Sequence, residues 1–295
     1  MKRISKITVM PNPSRDVGYA ITDAVCRILS ENKITVYMPG ANSDISLSTS
    51  DGAPIFFDEG SFPSDSELII VIGGDGSVLD AGKYAIEYDI PLLGINRGHL
   101  GYLTQLEEGD LTLLSRLTLG EYSISESLLI TGEAVHGNKK TKLPYAMNDI
   151  VFTHGKIGQM IEYEINDGGK SSLLYSSDSL VVSTPGGSTG YSMSGGGPVL
   201  DAQIGAICVT PIAPHSFFGR SMVFGDDKTI KVKNVSDRGT DIFVMADGRS
   251  ICVLSPGDCI SVFASERKIK FLSFDGFGTL DKLCRKMKMT NAKYN

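Results

Sequence analysis

The chain has 295 residues and a mass of 31.6 kDa, which at ~150 residues per domain predicts about two domains. Hydrophobic residues (41%) and charged residues (21%) stand in ordinary globular proportion, so either half can bury a core without disulfides or metals. A formal charge of −6 excludes a chain built to coat nucleic acid, and no apolar run approaches the ~18 residues of a membrane span. Neither nucleic acid nor membrane is an expected partner. Five scattered cysteines, Cys26, Cys208, Cys252, Cys259 and Cys284, include no C-x-x-C pair, so they form neither a disulfide framework nor a zinc site. The apolar part of the N-terminus is too short for a signal peptide and reads as a first strand; the expected location is cytoplasmic. Lys282, Arg285, Lys286, Lys288 and Lys293 follow Asp281 without an acid and read as a solvated helix end.

In chain order, residues 4–10 form a short apolar run ended by Pro11-Asn12-Pro13. Helical spacing over 17–29 places Ile21, Val25, Ile28 and Leu29 on one face. Residues 34–38 read as a second strand and 39–66 as a polar connection. Residues 67–73 are continuously apolar, as expected of a strand covered on both faces of a parallel sheet. A helix over 78–88 and a strand over 91–96 follow. This alternation predicts a doubly wound α/β domain over 1–120. Beyond it the pattern changes to short β-forming runs: 123–130, 146–153, 160–165, 180–184, 206–211, 229–235, 241–245, 259–264 and 269–272. They predict a β-rich domain over 121–273. Phe274, Phe277, Leu280 and Leu283 predict a C-terminal helix within 274–295 that returns to the first domain.

Four motifs carry chemistry. Gly73-Gly74-Asp75-Gly76-Ser77 lies between a buried strand and a helix, where glycines admit a polyphosphate and the helix start offers free N–H groups. Asp75 would repel an anion, so it fits a proton acceptor or a group holding a metal through water; the alternative is a tight turn with Asp75 as helix cap. The motif is neither the Walker P-loop nor the dinucleotide fingerprint. Asn96-Arg97-Gly98-His99-Leu100-Gly101-Tyr102-Leu103 follows the next strand, at the sheet edge where ligands collect. There Asn96 can donate to a ligand, whereas Arg97 and His99 read equally as exposed loop residues. Asn148-Asp149 can read ribose hydroxyls or form an Asx turn. The segment from Asp178 through Ser183-Thr184-Pro185-Gly186-Gly187-Ser188-Thr189-Gly190-Tyr191 to Pro198 is dense in small polar residues. Such a loop offers backbone N–H groups and hydroxyls without bulk, which suits a sugar, purine and phosphate ligand better than a linker.

Together with Pro211-Ile212-x-Pro214-His215-Ser216, these motifs resemble the NAD kinase family, in the family's order and over most of the chain. The first motif alone is shared with lipid kinases and phosphofructokinases; the long glycine segment is far more specific. The resemblance implies an α/β N-terminal domain that binds the phosphate donor and a β-rich C-terminal domain that binds NAD. It implies Asp75 as general base, taking the proton of the adenosine-ribose 2′-hydroxyl of NAD as that oxygen attacks the γ-phosphate of ATP. Gly73, Gly74, Gly76, Ser77 and Asn96 would line the donor, with Mg²⁺ or another divalent cation bridging its phosphates. Asn148 and Asp149 would hold the ribose, Asp178 the nicotinamide end, and Thr189, Gly190, Tyr191 and Ser194 the adenosine half. Asp75 itself, Gly76, Ser176 and Arg249 complete the implied NAD-binding set, with His215 structural and no resident metal site. A homodimer or homotetramer is implied.

The chain departs from the family's pattern at named places. Asp149 stands where Glu is usual, Ser179 where Gly, Gly186 where Thr, Gly190 where Ala, and Arg249 where Gln is frequent. The expected consequence is altered affinity or choice of phosphate donor rather than loss of activity. A non-catalytic dinucleotide sensor and a kinase of another hydroxyl compound are the competing readings.

Overall fold

A computed structural model describes residues 1–43, 47, 53–58, 60–98, 101–137, 139–156, 158–216, 218–237, 239–274 and 283–284. The chain divides into two compact units. One holds Met1–Glu126 with the segment from Ile269 onward, and the other holds Ser127–Lys268.

In the first unit, strands β1 (Lys6–Pro11), β2 (Thr35–Pro39), β3 (Ile55–Phe57), β4 (Leu68–Gly73) and β5 (Leu92–Asn96) form a parallel sheet. Their order is β3-β2-β1-β4-β5. Chain order therefore runs outward from β1 in one direction and from β4 in the other. The crevice at the carboxyl ends of β1 and β4 is the switch point where open α/β sheets take ligands. Every residue of β4 and β5 is buried, which explains their unbroken apolar sequence.

Helix α1 (Ala20–Glu31) buries Ile21, Val25 and Leu29 against this sheet's core. The expected helix over 17–29 is broken at its start: Val17–Tyr19 is a separate 3-10 turn, because Gly18 and Tyr19 take φ of 74° and 56°. Helix α2 (Asp75–Tyr88) begins three residues earlier than expected, with Gly74 as its cap, so Asp75 is the first helical residue rather than the cap. The stretch 39–66 is not all connection, since β3 and a 3-10 turn at Gly40–Asn42 lie within it. A 3-10 helix at Glu108–Leu119 was not legible as helix. Its buried Leu111, Leu114 and Leu117 recur every three residues, the period of a 3-10 helix and not of an α-helix.

The second unit is a two-layer β structure. One six-stranded sheet comprises β8 (Asp149–His154), β11 (Ser179–Ser183), β12 (Ala206–Ile212), β13 (Met222–Gly225), β15 (Ile242–Ala246) and β16 (Arg249–Leu254), in the order β13-β12-β11-β8-β15-β16. The other layer runs β10 (Leu173–Ser177), β9 (Ile161–Asn166), β14 (Thr229–Asn234) and then β17 (Cys259–Ser273). Ile150, Phe152, Leu180, Val182, Val209 and Val244 of the first sheet share a core with Tyr163, Ile165, Val232 and Val262 of the second. A long strand β6 (Ser123–His136) forms a hairpin with β7 (Lys139–Lys142).

The runs expected at 259–264 and 269–272 are one strand, β17. Strands β7, β10, β13 and β16 were missed; β7 is Lys-Lys-Thr-Lys and wholly exposed, so it has no apolar pattern to read. Phe274 is buried in the first unit's core. The C-terminal helix expected on Phe277, Leu280 and Leu283 falls almost wholly outside the described residues, as does the basic run. Among the described residues, no helix is long and apolar enough to cross a membrane.

Candidate active site

The first cluster forms at the switch point of the parallel sheet. Strand β4 must end in glycine, because a Cβ on Gly73 would overlap Ser77 Oγ and come within 3.2 Å of Asn12 Cβ. Asn12 Nδ2 donates to Ser77 Oγ at 2.8 Å, and Asn12 Oδ1 accepts from Ser14 N–H at 3.1 Å and Ser14 Oγ at 2.7 Å. One asparagine thus ties the turn after β1 to the first turn of α2. Gly74 and Gly76 differ from Gly73: a Cβ at either would meet nothing within 4 Å, and neither has a positive φ. Packing does not demand glycine there. Open space above the backbone at a helix start is what an approaching phosphate needs.

Asp75 is held from the opposite side. Tyr102 N–H donates to its Oδ2 at 3.0 Å and Leu103 N–H to its Oδ1 at 2.9 Å. A Cβ on Gly101 would overlap this carboxylate, with Asp75 Cγ only 2.7 Å away. Both glycine motifs therefore converge on one side chain. A carboxylate offers about four lone-pair sites, so two N–H donors fix it while leaving capacity for a hydroxyl proton. Burial and the Asp75 charge together push the Tyr102 phenol up from its ordinary value.

Asn96 is buried at the end of β5, beside Gly73 in register. Its amide group donates to Glu107 Oε1 and Oε2 at 3.2 and 3.1 Å. A carboxylate only accepts, so the amide nitrogen faces it, and at least one of its two N–H groups is engaged there. Asn96 Oδ1 is left buried and without a partner. Arg97 pairs with Glu108 at 2.9 Å on the surface, and His99 lies outside the described residues. Sequence reasoning missed Asn12 and Arg15. Arg15 Nη1 would stand 3.4 Å from a Cβ on Gly98, which brings a guanidinium to the loop after β5. The Asn-Pro-Ser-Arg turn directly after the first strand is the signal that could have found them.

The second cluster lies in the β unit, where β8 begins beside the end of β11. Asp149 and Ser183 are opposite one another across the antiparallel pair and share a face. Ser183 Oγ is buried with no hydrogen-bond partner. The Asp149 carboxyl is buried and pushed up to about 7, chiefly by burial and then by the charge of Asp247. Neither it nor the half-buried Asn148 side chain engages in a hydrogen bond among the described residues. A donor and an acceptor left open in one buried place are costly unless a ligand completes them.

No Asx turn forms at Asn148-Asp149. Instead the Asp247 carboxylate accepts the backbone N–H groups of Met147 at 2.8 Å, Asn148 at 2.8 Å and Asp149 at 3.2 Å. Burial pushes Asp247 up from its usual value, against the lowering effect of these three N–H groups and of Arg249. Asp247 sits in the β15–β16 hairpin, where its φ is 46°. Neither it nor Thr184 is among the site residues expected from the sequence.

The glycine segment continues this cluster. Thr189 Oγ1 donates to Gly186 O at 3.1 Å within a 3-10 turn at Gly186–Thr189. A single turn, α3 (Tyr191–Ser194), then turns Ser192 inward, 2.9 Å from Thr210 Oγ1, and leaves Tyr191 43% exposed with Ser194 also exposed. Gly190 joins the two turns. Ser176 and Asp178 stand elsewhere: Asp178 precedes the other end of β11, five residues from Ser183, or about 17 Å by strand rise. Ser176 is tied to the chain by its carbonyl, which accepts the N–H of His215 at 2.8 Å. Among the described residues no group of three or more His, Cys, Asp or Glu is gathered.

Family models match both parts of the chain: the ATP-NAD kinase N-terminal domain over residues 7–122 and the ATP-NAD kinase C-terminal domain over 147–274. An NAD kinase of Natranaerobius thermophilus is 33% identical over 267 residues, covering 90% of this chain and 92% of the relative. One of Symbiobacterium thermophilum is 34% identical over 233 residues, covering 79% and 82%. Among solved structures, a yeast NADH kinase complexed with NADH aligns with a TM-score of 0.84 at 18% identity, over 98% of this chain and 88% of that one. An Archaeoglobus fulgidus NAD kinase in complex with ATP aligns with a TM-score of 0.67 at 21% identity, over 90% and 92%. These two likenesses describe the fold.

Proposed function

We propose that this chain, which belongs to the NAD kinase family and phosphorylates NAD with ATP, uses Asp75 as the base of that transfer. The 2′-hydroxyl oxygen of the adenosine ribose attacks the γ-phosphorus, and its proton passes to Asp75. The O2′–P bond forms as the bond to the β,γ-bridging oxygen breaks, giving NADP and ADP. Little covalent chemistry falls to the protein in such a step, so holding the base and the reactants in place supplies much of the rate. The observation that carries the reading is the pair of N–H bonds from Tyr102 and Leu103, which fix an ionisable carboxylate at a phosphate-type loop.

Gly73 closes the turn, and Gly74, Gly76 and Ser77 receive the donor's phosphates at the start of α2. Arg15 adds positive charge at the same edge. Asn96, fixed at the end of β5 through Glu107, completes the donor-lining set. A divalent cation would arrive on the nucleotide's phosphates, and Asp75, the carboxylate of this loop, would face its hydration shell. When bound, that ion neutralises phosphate charge.

In the second unit, Asn148 and Asp149 hold the adenosine ribose, which supplies the missing partners of the Asp149 carboxyl. Thr189, Gly190, Tyr191 and Ser194 take the adenosine half, with Arg249 adding charge near the dinucleotide. The strand-length offset of Asp178 from Asp149 along β11 supports assigning Asp178 to the nicotinamide end, and Ser176 joins the dinucleotide's ligands. Five free thiols favour a reducing, cytoplasmic setting. Assembly as a homodimer or homotetramer is carried over from the family resemblance.

The test is product formation by purified protein with ATP, Mg²⁺ and NAD, following NADP with an NADP-specific dehydrogenase. NADP is expected with NAD and ATP together. NAD binding without NADP would move the reading to a dinucleotide sensor.

A further inference from the structure

Three features outside the assigned ligands meet at one stretch of backbone, residues 147–149. Asp247 takes all three of its N–H groups, as described above. On the carbonyl side, Thr184 Oγ1 donates to Met147 O at 2.6 Å, and Thr184 N–H donates to Asn148 O at 2.9 Å. The same Thr184 hydroxyl accepts the N–H of Gly187 at 2.9 Å. Gly187 then lies flat against this backbone: a Cβ there would overlap Asn148 O and stand 2.6 Å from Asn148 Cα. Asp247 closes the circuit by donating its own N–H to Asp149 O at 3.0 Å.

Asn148 and Asp149 are thus set by their backbones, leaving both side chains unengaged. A backbone held by one hairpin and one strand end fixes where the two side chains start, and both stand unengaged for a ligand. Side chains that must meet ribose hydroxyls gain affinity from being fixed before binding.

We propose that Asp247 and Thr184 are positioning residues for NAD: they clamp residues 147–149 from opposite sides and so fix the ribose-binding pair. The inference rests on the assignment of Asn148 and Asp149 to the ribose. The clamp touches the dinucleotide only through those two residues, so its loss acts on NAD and not on the phosphate donor.

Steady-state kinetics of four variants test it, each with melting temperature recorded. In Asp247→Asn an amide group replaces one of the two accepting oxygens and turns a donor toward a donor. In Thr184→Val the hydroxyl is lost, whereas Thr184→Ser keeps it. Asn148→Ala reports on the ribose assignment itself. We expect Asp247→Asn and Thr184→Val to raise the KM for NAD about tenfold or more, with kcat and the KM for ATP much less changed, and Thr184→Ser to stay near wild type. An unchanged KM for NAD in Asp247→Asn and Thr184→Val, with Asn148→Ala impaired, overturns the clamp and keeps the ribose assignment. An unimpaired Asn148→Ala overturns the ribose assignment and the clamp with it. Equal losses in Thr184→Ser and Thr184→Val would also overturn the clamp, since the hydroxyl would then not matter. Should Asp247→Asn fail to fold, the contrast between the two threonine variants decides alone.

Discussion

Asp149 donates its backbone N–H to the carboxylate of Asp247 at 3.2 Å while its own carboxyl, buried beside that charge, is pushed up to about 7. Two acids 98 positions apart in sequence are therefore neighbours, and burial shifts Asp149 toward its neutral form in the folded chain. An unfolded aspartate releases its proton near ~3.9. Between about pH 4 and pH 7 the folded state holds a proton that the unfolded state has lost, so stability through this group falls as pH rises through that window. Asp149→Asn, which cannot ionise, removes this slope. We expect wild type to lose roughly 2–6 °C more in melting temperature than the variant between pH 5 and pH 8. Parallel melting curves at both pH values would contradict the burial of this carboxyl beside Asp247.

Gly101 and Asp75 make a second coupled pair. Since a Cβ at 101 would occupy the place of the Asp75 carboxylate, Gly101→Ala should displace the base while leaving Asn148, Asp149 and the glycine segment untouched. The expected result is a kcat lower by about tenfold to a hundredfold, with the KM for NAD much less affected. Full activity in Gly101→Ala would mean that the position of Asp75 set by this loop is irrelevant to turnover.

Gly187 and Gly190 lie three residues apart and should behave differently. A Cβ on Gly187 would overlap the backbone of Asn148, whereas one on Gly190 meets only Gly187 O, at 3.2 Å. Alanine is the residue that the family resemblance places at 190. We predict that Gly190→Ala keeps kcat/KM for NAD within about threefold, because a shift of a few tenths of an ångström relieves the contact. Gly187→Ala should lower both melting temperature and NAD affinity. Kinetics and thermal melts of the two proteins side by side check the contrast.

These relationships also show where the sequence is legible. Strands β4 and β5 could be read because burial on both faces leaves an unbroken apolar run, and β7 could not because it is all exposed Lys and Thr. The 3-10 helix at Glu108–Leu119 escaped because its leucines follow a period of three. At the site, Asp75 stood out by chemistry: an acid in a glycine turn has few explanations. Its holders did not, since Tyr102 and Leu103 act through backbone N–H groups that no side-chain pattern reveals. Asp247 was hidden for a related reason. It serves the Asn148-Asp149 backbone across about a hundred residues of chain, and its Asp-Gly pair reads locally as an ordinary hairpin turn.

Turnover by Asp75→Asn tests the general base most directly. Asparagine keeps the size of the side chain and an acceptor for one of the two N–H donors, but it cannot take a proton. With saturating ATP, Mg²⁺ and NAD, we expect NADP formation lower by about 10²–10⁴-fold, with NAD still bound and the fold intact. Near wild-type turnover in this variant would contradict Asp75 as the base and leave the fixed carboxylate without its assigned task.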